Sequence, residues 1–192
     1  MESKANMPSI AFQSAKEWRT WLSKNAQDSN GVWLKIFKKD SKETTITYAE
    51  ALEEALCYGW IDGQKKSLDK EAWLQKFCPR GPKSVWSKVN IGLIEKLVKA
   101  GKMKPEGLKA VASAKADGRW DMAYDSPSKM TIPDDFIKEL SKNKKALEFY
   151  ESLNKANLYS IAFRLQTAKK PETRQKRMEV ILDMLSKGQK FH

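Results

Sequence analysis

An α+β fold is predicted from three observations: strand-type and helix-type apolar patterns alternate over residues 8 to 80, the last two strand patterns flank a short turn, and only helical periodicity follows. The expected architecture is a small, mainly antiparallel sheet with two helices, followed by an all-helical C-terminal half packed against it. The domain division follows the same change of pattern, with a sheet domain over residues 8–83 and a helical region over 84–192.

Pro8 to Phe12 reads as a leading strand. Ser14 and Glu17 form a capping-box pattern ahead of a helix that runs to about Asn25 with Trp18, Trp21 and Leu22 on one stripe. Asn30-Gly31 marks a turn. In Val32 to Phe37 the residues Val, Leu and Ile alternate with Trp, Lys and Phe, which predicts a strand covered on most of both faces. Thr47 and Glu50 form a second capping box, Ala51, Leu52, Ala55 and Leu56 give the helix its buried stripe, and Gly59 ends it. Trp60–Lys66 and Ala72–Phe77 read as a hairpin turning around Ser67 to Lys70.

Beyond Arg80, one helix carries Val89, Leu93, Leu97 and Val98 and closes at Ala100-Gly101. Another starts at Pro105, a residue that suits a first helical turn, and ends at Asp117-Gly118. Residues 119 to 133 are expected to be a loop. Three further helices follow: Asp134 to about Leu153 with a break near Ser141, Asn157 to Ala168, and Pro171 to Lys187. The last carries Met178, Ile181, Leu182 and Leu185 on one face.

The chain of 192 residues is long enough to bury a core, and its mixed charges argue for a folded protein. No apolar run approaches the length of a membrane span. Met1 to Pro8 has no apolar stretch of the secretory type, so a cytoplasmic location is expected. Cys57 and Cys78 then read as small core residues. The formal net charge is +12, and the segment from Ser141 contributes twelve Lys and Arg against five Asp and Glu, or +7 of it. Such a balance favours anionic partners: nucleic acid, acidic lipid surface or small anions.

The only histidine is His192, which removes serine–histidine and cysteine–histidine catalysis and histidine-built metal sites. Two cysteines without a CxxC spacing build no zinc knuckle, and neither GxGxxG nor a P-loop occurs. No metal and no cofactor is expected.

Three constellations remain. Trp60, Asp62 and Gln64 alternate along one strand and are expected on one side of it, with Asp62 the candidate general base. Arg80, Lys83, Trp86, Lys88 and Asn90 interleave cations, an indole and an amide, and Arg119-Trp120 belongs with them. Lys169, Lys170, Arg174 and Arg177 surround Pro171 at a helix start and form an anion seat, unless the two arginines pair with carboxylates of the sheet domain.

Several ordered motifs carry a resemblance. Tyr48-Ala49-Glu50-Ala51-Leu52-Glu53-Glu54-Ala55-Leu56-Cys57-Tyr58-Gly59-Trp60-Ile61-Asp62-Gly63 and the segment from Pro79 to Asn90 are the first two. Gly101 to Leu108, Ala114 to Trp120 and Ala168 to Arg174 follow. Across nearly its whole length the sequence resembles the YdeI/OmpD-associated family, also labelled bacteriocin-protection proteins. The resemblance implies a role in resistance to antimicrobial peptides through an outer-membrane porin, with a periplasmic location for some members. It supplies no catalytic residues. A cytoplasmic protein would not meet a porin directly.

The leading expectation is a binding module that holds an anionic small molecule or protein partner in a cleft lined by Trp60, Asp62, Arg80, Trp86, Asn90 and Arg119. The first alternative is a metal-free enzyme with Asp62 as base and Arg80 or Arg119 stabilising developing charge. The second is nucleic-acid binding through the basic C-terminal helices.

Overall fold

The computed structural model describes residues 7–126 and 128–192. Met1 to Asn6, on which most of the leader expectation rests, and Pro127 in the expected loop lie outside them. The fold is α+β: a four-stranded sheet with helices, followed by a helical C-terminal half. In chain order the elements are β1 (Ser9–Ile10), α1 (Ala15–Asn25), β2 (Val32–Phe37), α2 (Tyr48–Cys57), β3 (Trp60–Ser67), β4 (Ala72–Pro79), α3 (Lys88–Lys99), α4 (Pro105–Ala116), α5 (Asp134–Leu140), α6 (Lys144–Glu151), α7 (Lys155–Gln166) and α8 (Pro171–Ser186).

Two compact units divide the chain: residues up to Ser84 with Asn90–Trp120, and Val85–Val89 with Asp121–His192. Most of α3 and all of α4, grouped by the sequence with the helical half, therefore belong to the unit that holds the sheet.

In that first unit the strand order is β1-β2-β4-β3, with β1 parallel to β2 and the other neighbours antiparallel. Helices α1 and α2 cover one face, where Val32, Leu34, Ile36 and Phe77 meet Trp18, Leu22, Ala51, Ala55 and Leu56 in a dry core. The Trp18 indole N–H donates to the Ala51 carbonyl at 3.0 Å, so its one polar atom is satisfied inside. Trp33, Lys35 and Phe37 on the opposite face are only half-buried, which corrects the expectation that both faces of β2 are covered.

The Thr47 box forms completely: Thr47 Oγ1 accepts from the Glu50 N–H at 3.3 Å, and Glu50 Oε2 accepts from the Thr47 N–H at 3.0 Å. The Ser14 box forms by half, because the Glu17 carboxylate reaches past Ser14 to the Gln13 N–H at 2.9 Å. Gly59 stops α2 in the left-handed region at φ +73°. Here α4 docks: the Lys104 N–H donates to the Cys57 carbonyl at 3.0 Å, and a Cβ on Gly107 would lie 2.3 Å from the same oxygen. Only a glycine permits that approach. The apolar stripe of α3 is turned from the expected one: Asn90, Ile94 and Leu97 are buried, while Val89 and Val98 are about half exposed.

In the second unit, α5 and α6 separate after Leu140, as the break near Ser141 predicts. Phe136, Leu140, Ala146, Ile161, Leu165, Met178, Ile181 and Leu185 form one core across α5 to α8. Among the described residues, no helix is long and apolar enough to cross a membrane.

Candidate functional site

Of the residues expected to line a central cleft, Trp60, Trp86, Asn90 and Arg119 are buried and Asp62 and Arg80 are half-buried. Trp60 is 1 % exposed; its ring packs edge-on to Trp18 and Trp21, and its N–H donates to the Ala26 carbonyl at 3.0 Å. It is a core side chain. Asp62 is half-buried on the helix-facing side of β3 and accepts a hydrogen bond from the Tyr48 hydroxyl at 2.8 Å. A β-bulge between Asp62 and Lys65 then breaks the alternation, since two residues on β3, Gly63 and Gln64, face one on β4, Lys76. Gln64, which sits in the bulge, is exposed and does not continue the side set by Trp60 and Asp62.

Arg119 is 5 % exposed and fully engaged: Nε donates to Asp117 at 2.7 and 2.8 Å, Nη1 to the Ser84 carbonyl at 3.2 Å and Nη2 to Ser113 Oγ at 3.2 Å. Its role is to clamp the end of α4. Asn90 and Trp86 are likewise buried, and Trp86 belongs to the second unit. Arg80 is half-buried just past β4, its backbone N–H donating to the Gly59 carbonyl at 3.0 Å. The half-buried Trp120 ring carries Lys115 Nζ at 5.2 Å.

Of the four cations expected at the start of α8, Lys169 and Lys170 are exposed, while Arg174 binds Asp135 through both nitrogens at 2.5 and 2.8 Å. That carboxylate lies on α5, not on the sheet domain. The pairing holds Asp135 below the usual carboxylate range. Arg177 turns away from this end and donates to the Arg164 carbonyl at 2.7 Å and to Thr167 Oγ1 at 3.3 Å.

Arg177 thereby enters a groove of about 340 Å³ lined by Arg164, Thr173, Lys176, Arg177, Val180, Ile181 and Phe191. Val180, Ile181 and Phe191 give it an apolar floor, and the Arg164 guanidinium lies 4.1 Å from the centre of the Phe191 ring. Three cations and no carboxylate line it. A broader concavity of about 700 Å³ next along α8 includes Glu172 and Glu179, which oppose an anion. Sequence reading found Arg177 but missed Arg164, Lys176 and Phe191, because Phe191 reaches the groove only through the fold of the chain after α8.

A second cationic surface is the uncovered face of the sheet. The strand register places Trp33, Lys35 and Phe37 of β2 beside Leu74 and Lys76 of β4 and Lys66 of β3. Lys35 Nζ lies 4.4 Å from the Phe37 ring centre and Lys66 Nζ 4.5 Å from that of Trp33. The signal for this face was the alternation in Val32–Phe37, read as a buried strand.

Cys57 is buried, and burial, with Glu54 nearby, pushes its thiol up to about 11. That suits a core residue rather than a nucleophile. Among the described residues, no group of three or more His, Cys, Asp or Glu side chains is arranged to hold a metal ion.

Residues 10–110, more than half of the chain, match a family model described as a domain of unknown function, DUF8412. The chain belongs to the DUF8412 family. In this DUF8412 protein a further stretch, residues 129–188, matches the model described as "Bacteriocin-protection, YdeI or OmpD-Associated", the family that the motifs resemble. The DUF8412 match begins at Ile10 in β1, takes in β2, β3 and β4 and reaches into α4, whereas the second match covers α5 to α8 and every groove residue except Phe191. Comparison of this DUF8412 protein with curated proteins and with solved structures returned no match.

Proposed function

We propose that the protein is a binding module for a small amphiphilic anion, such as an aromatic or short aliphatic carboxylate, held in the groove between α7 and α8. The observation that carries this reading is the pairing of an apolar floor with three cations and no carboxylate in one concavity of about 340 Å³. A carboxylate would face Arg164 and Lys176 while its apolar body covers Val180 and Ile181. Arg177 holds the Arg164 carbonyl and so fixes the end of α7 from which Arg164 projects. Bacteriocin protection and association with OmpD, both named in the second family description, supply the biological context.

A thermal-shift series tests the reading, since a ligand that prefers the native state must raise its melting temperature. Aromatic and aliphatic carboxylates are expected to stabilise the protein, with inorganic phosphate and the matching neutral amides doing so less. The double variant Arg164→Gln/Lys176→Gln is expected to lose the shift and keep its unliganded melting temperature. Equal stabilisation of both proteins by every anion would reduce the effect to bulk charge and remove the groove.

A further inference from the structure

We infer that the uncovered face of the sheet is a platform for single-stranded nucleic acid, a site separate from the groove and argued from different residues. Alternation along each strand brings Trp33 and Phe37 to this face with Lys35, Lys66 and Lys76. The remaining positions that the register places here, among the described residues, are Ser9, Ile61, Ala72, Leu74 and Cys78, so the face carries no carboxylate. A row of lysines on a two-ring surface is complementary to a polyanion that also offers flat groups; the nearest carboxylate in electrostatic reach is Asp69, in the turn before β4, which acts on Lys35.

The rings are what select the partner. Trp33 and Phe37 are four residues apart on one strand, about 13 Å, and so take two separate bases. Each ring already carries an ammonium within 4.5 Å, held there by the charge distribution of the ring itself. A base can displace that ammonium from the ring, and the freed lysine then meets the adjoining phosphate. Stacking of this kind tolerates any base, because every base has a π-face. A duplex keeps its bases stacked on each other and cannot present them, while an acidic peptide offers charge without the flat partners.

Fluorescence anisotropy with labelled single strands of about 15 nucleotides, in deoxyribose and ribose forms, tests the inference on the full chain. Wild type is expected to bind both, with a log–log salt slope near −2 if the three lysines neutralise three phosphates. The Trp33→Ala variant is expected to weaken binding by at least about fivefold, with Trp33→Phe retaining most of it. Lys35→Glu/Lys66→Glu/Lys76→Glu is expected to abolish binding, and Arg164→Gln/Lys176→Gln to leave it unchanged. Should Trp33→Ala not fold, quenching of indole fluorescence on binding, present in wild type and reduced in Trp33→Phe, supplies the same decision. Equal affinity for a duplex, failure of wild type to bind at low salt, or no effect at Trp33 by either readout overturns the platform. Failure of binding here with the carboxylate stabilisation intact would remove this inference and leave the groove standing.

Discussion

The two faces of the sheet are cut from the same strands and use the same kinds of residue, yet they do opposite work. On the helix-covered face Trp60 and Trp18 lie in a dry cluster with each indole N–H bonded to a carbonyl. On the other face Trp33 and Phe37 lie half-buried under lysine side chains. An indole is thus a packing unit or a binding surface according to what the neighbouring chain places over it. The cations divide in a similar way: Arg119 and Arg174 are consumed by Asp117 and Asp135, while Arg164 and Lys66 meet rings.

The sharpest way to break this contrast is to truncate the same residue type on each face. Trp60→Ala is expected to cost about 3–5 kcal/mol, as large core truncations do, and Trp33→Ala less than about 1.5 kcal/mol. Urea denaturation midpoints of the two variants measure it; equal losses would mean that Trp33 is a core residue. Gly107→Ala comes next, because its Cβ would press on the Cys57 carbonyl at the end of α2, with an expected loss of about 1–3 kcal/mol. A Gly92→Ala variant, in α3, whose Cβ meets nothing within 4 Å and whose φ is not positive, is the control and is expected to lose no stability.

Acid is a gentler probe of the second unit. Asp135, held down chiefly by Arg174, and Asp125, held down chiefly by Lys88 and Gln166, both titrate below the usual value of 3.8. A lowered carboxylate contributes stability that is present above its unfolded pKa and is lost as pH falls through its folded value. The window is therefore below about pH 4, and the loss should shrink in an Arg174→Gln variant followed by circular dichroism. The smallest effect expected is at Cys57, where alkylation of the native protein at pH 8 should be slow and should become fast in denaturant.

Local chemistry explains what was legible. Thr47 with Glu50, Gly59 and Pro171 act through backbone groups within a turn of themselves, so element types and most boundaries could be read directly. The first capping pattern was less reliable, because Glu17 had a choice of two neighbouring N–H groups and took Gln13. The orientation of α3 was misjudged since Val89 and Val98 are as apolar as Ile94, and burial of Asn90 depends on its tertiary surroundings.

What the sequence determined by itself was the α+β class, the order of elements, the change to helices after the hairpin and the family likeness, all of which rest on periodicity, capping and motif order. Tertiary structure alone decided which tryptophan is dry, which arginine is spent and where a concavity forms. Burial and charge pairing are properties of neighbours brought together from distant positions, as Phe191 is to Arg164 or Lys66 to Trp33, and no residue carries them in its own letter.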